Sequence, residues 1–201
     1  MVQQTLTDRA IEIARKRGVA RTRDFMDAGI PRVYLQRLQK QGRLNRIGHG
    51  LYQVEGAVLS GQHSLAEAAR TVPHGVVCLL SALQFHGLTT QLPNRVWIMI
   101  KPGARASRAR SVGLQFTKAS GKSFTSGIKH HSIDGVAVPI YEPAKTVADC
   151  FKYRSKVGLD VAIEALRDCL NQRKCTPADL WRYAKTCRVD NIMRPYIEAL
   201  T

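Results

Sequence analysis

AGIPRVYLQRLQKQGRLNRIGHGLYQV, Ala28 to Val54, changes its hydrophobic rhythm near the middle, and that change decides the fold. The first half has helical spacing. At 100° per residue, Leu35 and Leu38 share one side with Tyr34 at its flank. Val33, Gln36, Arg37 and Lys40 gather on the other side, with Arg32 at its edge. Pro31 suits a first helical position and Gly42 stops the run, so a helix is expected from Pro31 to Gln41. Gly42 to Val54 then reads as a β-hairpin, with Tyr52 and Val54 alternating and a tip at His49 between Gly48 and Gly50. Leu44 and Ile47 are three apart, which predicts a bulge or a leftover helical turn near Asn45.

Upstream, Leu6, Ala10, Ile13 and Ala14 recur at helical spacing, and Arg15, Lys16 and Arg17 occupy the last turn before Gly18, where cations complement the helix dipole. Val19 to Arg21 is a short extended piece. Thr22 reads as the N-cap of a second helix that runs through Ala28 and is stopped by Gly29. Helix, turn, helix and hairpin in that order predict a winged helix-turn-helix. A helix of about 10–12 Å diameter enters the DNA major groove, where base edges present distinct donor and acceptor patterns, while a wing reaches nearby backbone. The candidate DNA-binding residues are Arg32, Gln36, Arg37 and Lys40 on the groove side, and Arg43, Arg46 and His49 around the hairpin. Arg21, Thr22 and Arg23 join them at the start of the second helix, where phosphate docks on unpaired amides.

The whole composition agrees with a polyanionic partner. Among 201 residues, 31 Lys and Arg oppose 15 Asp and Glu, a formal net charge of +16. The apolar fraction of 44% is that of a globular chain. No apolar run approaches the ~18 residues of a membrane span. Asp8 and Glu12 interrupt any signal-peptide core, so a cytoplasmic protein is expected. The five cysteines form no C-x-x-C pair, which argues against a disulfide framework or a zinc site and for buried or idle thiols. Between Ala68 and Ile133 there is no acidic residue, whereas Lys101, Arg105, Arg108, Arg110, Lys118, Lys122 and Lys129 all fall there, and a second basic patch is expected.

The fold class expected is α+β: an N-terminal winged helix-turn-helix, residues 1–57, followed by a mixed α/β C-terminal domain, 58–201, with strands to about 140 and helices over 141–201. Strands are predicted at Val96–Ile100, Val112–Phe116, Gly127–Ile133 and Val136–Ile140. Asp134-Gly135 forms the turn between the last two, and Pro139 demotes the final one to an edge. Helices follow at Pro143–Tyr153, Leu159–Arg173, Pro177–Thr186 and Ile192–Leu200. Glu142, Lys145 and Asp149 lie at i, i+3 and i+7, residue types a metal-dependent nuclease uses, but Lys145 and Asp149 also form a plain i, i+4 ion pair. No G-x-S-x-G, P-loop or G-x-G-x-x-G occurs, and His74, His86, His130 and His131 lack metal spacing. Neither catalysis nor a metal or cofactor is expected. The rival readings are a metal-dependent nucleic-acid enzyme and a ligand-responsive regulator.

Residues 28–54 resemble the N-terminal winged helix of AbiEi-type antitoxins, regulators of type IV toxin-antitoxin (abortive infection) systems. VVCLLSALQFHGL, RVWIMI and YEPAKTVADCFKY look like that family's C-terminal domain. The resemblance implies a transcriptional autorepressor that binds inverted repeats of double-stranded DNA in its own promoter. It also implies counteraction of a cognate nucleotidyltransferase toxin without a stable complex, recognition-helix positions Arg32 to Lys40, and wing positions Arg46 to Leu51.

Overall fold

The computed structural model describes residues 5–48, 50–56, 62–105 and 112–200. Its packing separates two compact units: Met1–Pro73, Ser107–Gly113 and His131–Val138 form the first, and His74–Ala106, Leu114–His130 and Pro139–Thr201 the second.

Unit 1 runs α1 (Leu6–Arg17), β1 (Ala20–Arg21), α2 (Thr22–Met26), α3 (Arg32–Lys40), β2 (Leu44–Gly48), β3 (Leu51–Val54) and α4 (His63–Thr71). Thr5 caps α1 by accepting the Asp8 amide at 3.2 Å. The three strands form one antiparallel sheet in the order β1-β3-β2. Its core joins Ala10, Ile11 and Ala14 of α1 to Phe25, Ile30, Leu35, Leu38, Leu44 and Tyr52. The Phe25 and Tyr52 rings meet edge to face with centroids 5.9 Å apart. Leu35 and Leu38 are thus the buried side of α3, as the angular pattern required.

The hairpin register pairs Leu44 with Val54, Asn45 with Gln53, Arg46 with Tyr52 and Gly48 with Leu51, which leaves Ile47 as the extra residue. The bulge therefore falls at Ile47 rather than near Asn45. The cause is that Leu44 is drawn into the core and Arg46 must oppose Tyr52, so the surplus residue is pushed toward the tip. His49, the expected tip, lies outside the described residues.

Asp134 and Gly135 both have positive φ, 48° and 71°, as a two-residue Asp-Gly hairpin turn demands. That turn, counted in unit 1, lies against the end of α1: a Cβ at Gly18 would stand 1.3 Å from the Asp134 carbonyl oxygen, so only glycine fits there. Asp134 also accepts a 2.8 Å contact from His63 Nδ1 at the start of α4.

Unit 2 contains β4 (Val76–Val77), α5 (Leu79–Phe85), β5 (Val96–Ile100), β6 (Leu114–Lys118), α6 (Lys122–Thr125), β7 (Ile128–Ile133) and β8 (Val136–Tyr141), the last two with their turn in unit 1. Then follow α7 (Pro143–Lys152), α8 (Arg154–Val157), α9 (Leu159–Asn171), α10 (Pro177–Cys187) and α11 (Asp190–Leu200). Strand order is β6-β5-β4-β8-β7. β8 is therefore an inner strand, against the expectation drawn from Pro139. Its bridge to β4 is the single parallel pair Val77↔Ile140, a contact too short to require an amide from residue 139.

α7 is the centre of this unit. All residues from Ala144 to Phe151 are buried, because α5, α9, α10 and α11 surround it. This forces two charges inside: Lys145 is 0% exposed and Asp149 1%, paired at 2.5 Å. Lys145 Nζ also lies 4.1 Å from the Tyr141 ring centroid, and Cys187 Sγ donates to Asp149 Oδ1 at 3.4 Å. Burial raises the Asp149 carboxyl against the pull of Lys145, and burial followed by the Asp149 charge pushes the Cys187 thiol up to about 12.

Cys78, Cys150 and Cys187 are buried thiols, but Cys169 and Cys175 are paired as a disulfide, with Cα atoms 5.8 Å apart. The expectation of idle cysteines is corrected there: the turn from α9 to the Thr176 cap of α10 folds the two back on each other, a proximity no C-x-x-C spacing announced.

Removing one member of the buried pair strands the other. Lys145→Ala is expected to lower stability by about 3–5 kcal/mol, whereas Lys145→Met combined with Asp149→Leu loses much less, a contrast read from urea unfolding midpoints.

Candidate nucleic-acid interface

Because Leu35 and Leu38 are buried, α3 turns Arg32, Val33, Gln36, Arg37 and Lys40 to solvent. Arg32, Arg37 and Lys40 make no ion pair among the described residues. The chain passes directly from α3 into β2, held by the Arg43 amide donating to the Leu38 carbonyl at 2.9 Å. Arg46 is exposed on β2, its Nε donating to the Gly48 carbonyl at 3.2 Å. Arg43 lies 3.7 Å from Asp8, and Arg23 3.9 Å from Asp27, so those two cations are partly offset.

The start of α2 differs from the expectation of unpaired amides. Arg21, not Thr22, is the N-cap residue, and its amide donates to Asp24 Oδ2 at 2.8 Å. The Thr22 amide donates to the Gly50 carbonyl at 2.8 Å, and its hydroxyl to the same oxygen at 3.3 Å. The Arg21 amide is taken by a local cap three residues away, whereas the Thr22 amide is taken by the hairpin, a partner 28 residues distant.

Asp24 gathers arginines. Arg17 Nη1 donates to it at 3.0 Å and Arg70 Nη1 stands 3.7 Å away. Arg21 turns its guanidinium onto the Arg70 carbonyl. Burial lowers the pKa of both Arg21 and Arg70, and the Arg70 charge lowers Arg21 further. Arg21 is thereby half-buried and engaged inside unit 1, while Arg23 alone of this trio is exposed.

In unit 2, Lys101 follows β5 and Lys118 ends β6. They are neighbours because the two strands run parallel with Ile100 opposite Lys118. Lys122 begins α6. Two lysines absent from the sequence reading join them. Lys152 Nζ donates to Ser123 Oγ at 3.1 Å and Lys156 Nζ to Thr117 Oγ1 at 3.5 Å, both beside the Tyr153 ring, at 5.9 and 5.6 Å from its centroid. Tyr153 Oη donates to the Lys118 carbonyl at 2.7 Å and fixes the group. The signal that could have found them is the i, i+4 lysine pair at the end of a buried helix. Lys129 stands apart on β7, Arg105 is exposed beyond β5, and Arg108 and Arg110 lie outside the described residues.

Glu142, Lys145 and Asp149 do not converge on solvent: Glu142 faces Arg182 at 3.4 Å while the other two are buried. Among the described residues, no three His, Cys, Asp or Glu side chains cluster as a metal site, and no helix is long and apolar enough to cross a membrane.

Asp24→Ala would leave Arg17, Arg21 and Arg70 without their shared carboxylate. A loss of about 1–3 kcal/mol is expected, measured by urea denaturation.

Comparison with known proteins returned no matching curated sequence. The crystal structure of RV2827C protein from Mycobacterium tuberculosis is similar at a TM-score of 0.62, with 14% identity over 98% of this chain and 82% of that one, a likeness of fold. Residues 8–54, the stretch from α1 to the end of β3, match the family described as "Transcriptional regulator, AbiEi antitoxin".

Proposed function

We propose that the chain is a DNA-binding antitoxin and transcriptional autorepressor, with unit 1 acting as a winged helix-turn-helix. The observation that carries this is α3: its apolar side is buried while Arg32, Gln36, Arg37 and Lys40 stand exposed next to a hairpin bearing Arg46. Arg37 suits guanine O6 and N7, and Gln36 suits adenine N6 and N7. Arg32, Lys40 and Arg46 suit phosphates, which position the protein without reading sequence. The family match across the same residues supports the reading. Counteraction of a nucleotidyltransferase toxin without a stable complex, binding at inverted repeats of its own promoter and residence in the cytoplasm follow from the family resemblance. A neighbouring gene whose toxicity this protein relieves is the test of the first. The lysine group around Tyr153 adds sequence-independent attraction for polyanions, and no catalytic step or cofactor enters.

Gel shifts test the DNA reading directly. Affinity is expected to fall with salt at a log-log slope of about −0.9 per phosphate neutralised. Arg37→Ala should cost about 1–3 kcal/mol and change base preference. Arg46→Ala should weaken all sequences alike and reduce the slope by about 1. Unaltered binding by Arg37→Ala removes that residue from base reading.

A further inference from the structure

We infer that Val33 reads thymine, packing its side chain against the C5-methyl group of one thymine in the major groove; this rests on the DNA-binding reading of α3. Val33 is 63% exposed, the most exposed large apolar side chain among the described residues of unit 1. It stands at the second position of α3 and heads the stripe Val33, Gln36, Arg37 and Lys40, spaced i, i+3, i+4 and i+7. The opposite side of the helix, Leu35 and Leu38, supplies the packing, so folding makes no demand for an apolar group at position 33. Helix formation makes none either, since a β-branched residue is a poorer helix former than alanine or lysine.

The chemistry of the stripe then singles out a partner. Gln36, Arg37 and Lys40 carry donors and acceptors matched to polar base edges or phosphates. Val33 offers only methyl groups, and the apolar landmark of the major groove is the thymine methyl. Residues near the start of a recognition helix are the ones that reach base edges. Val33 therefore selects a T·A pair beside those read by Gln36 and Arg37, adding specificity without charge.

The test uses the full-length protein and a duplex selected by it from a randomised pool. Each thymine is replaced singly by deoxyuridine, which deletes the methyl and leaves pairing intact. At one thymine in the binding site the replacement is expected to weaken wild-type binding about four- to tenfold. Val33→Ser, which replaces the methyl groups by a hydroxyl, should bind the thymine and deoxyuridine forms alike while keeping its preference elsewhere. Its fold is checked by an unchanged melting temperature, as befits an exposed helix position. A wild-type protein that selects a sequence yet changes less than about twofold at every deoxyuridine overturns the inference. So does a Val33→Ser variant that retains the full deoxyuridine penalty. Failure to select any sequence is a different result and sinks the reading of α3 itself, and this inference with it.

Discussion

The two-residue strand β1 is the constraint on which unit 1 depends. Ala20 and Arg21 pair with Tyr52 and Leu51, and the next residue, Thr22, directs both its amide and its hydroxyl at the Gly50 carbonyl. These few bonds fasten the hairpin to the start of α2. An isolated hairpin is marginal in water, and the third strand and the helix beneath it make this one a fixed element. Gly50 takes a φ of 69°, in the left-handed region that favours glycine, and a Cβ there would press on Thr22 Oγ1 at 3.0 Å. With the hairpin fixed and Phe25 packed edge-on to Tyr52, α3 has one side left to bury, and Leu35 and Leu38 fill it.

This explains how much could be read from the chain alone. α3 was legible because its burial is one-sided and its period is therefore visible, and the strands flanking Asp134-Gly135 were legible because that turn type needs positive φ at both residues. Features set by distant partners were not. The Ile47 bulge depends on which residues Leu44 and Arg46 oppose, and the place of β8 on a two-residue neighbour. The Thr22 amide is taken by Gly50, a partner that the local sequence does not show, whereas the Arg21 amide is taken by Asp24 three residues on, a capping pattern present in the chain itself. Lys152 comes within reach of Ser123, and Lys156 of Thr117, only after α7 and α8 are packed, and sequence separation hides that.

α7 shows the same limit from the other direction. Its i, i+4 Lys-Asp spacing is what an exposed helix uses for a weak ion pair, yet here helices surround it and the pair is buried. A buried pair is poor evidence of stability, because desolvation offsets most of its attraction. Its contacts extend beyond α7, Lys145 to the Tyr141 ring and Asp149 to the Cys187 thiol, so removing either charge disturbs more than the pair. Burial first, and then this same carboxylate, raise the Cys187 thiol, which favours its protonated form.

The distribution of charge finally separates structure from recognition. The chain carries a formal excess of +16, and self-repulsion of that size opposes the compact state. Where cations serve the fold they are matched: Asp149 holds Lys145, Asp24 draws Arg17 and Arg70, and Asp8 faces Arg43. The exposed cations of α3, Arg46 of the hairpin and the lysines around Tyr153 have no such partner among the described residues. The two sets also differ in chemistry. α3 combines arginine with glutamine, whose planar groups can read base edges, whereas the second group is lysine alone, a point charge that attracts phosphate without discriminating sequence. On a polyanion the first set would supply specificity, the phosphates would neutralise the exposed cations and so relieve their mutual repulsion, and the counterions released to solvent would make the binding salt-dependent.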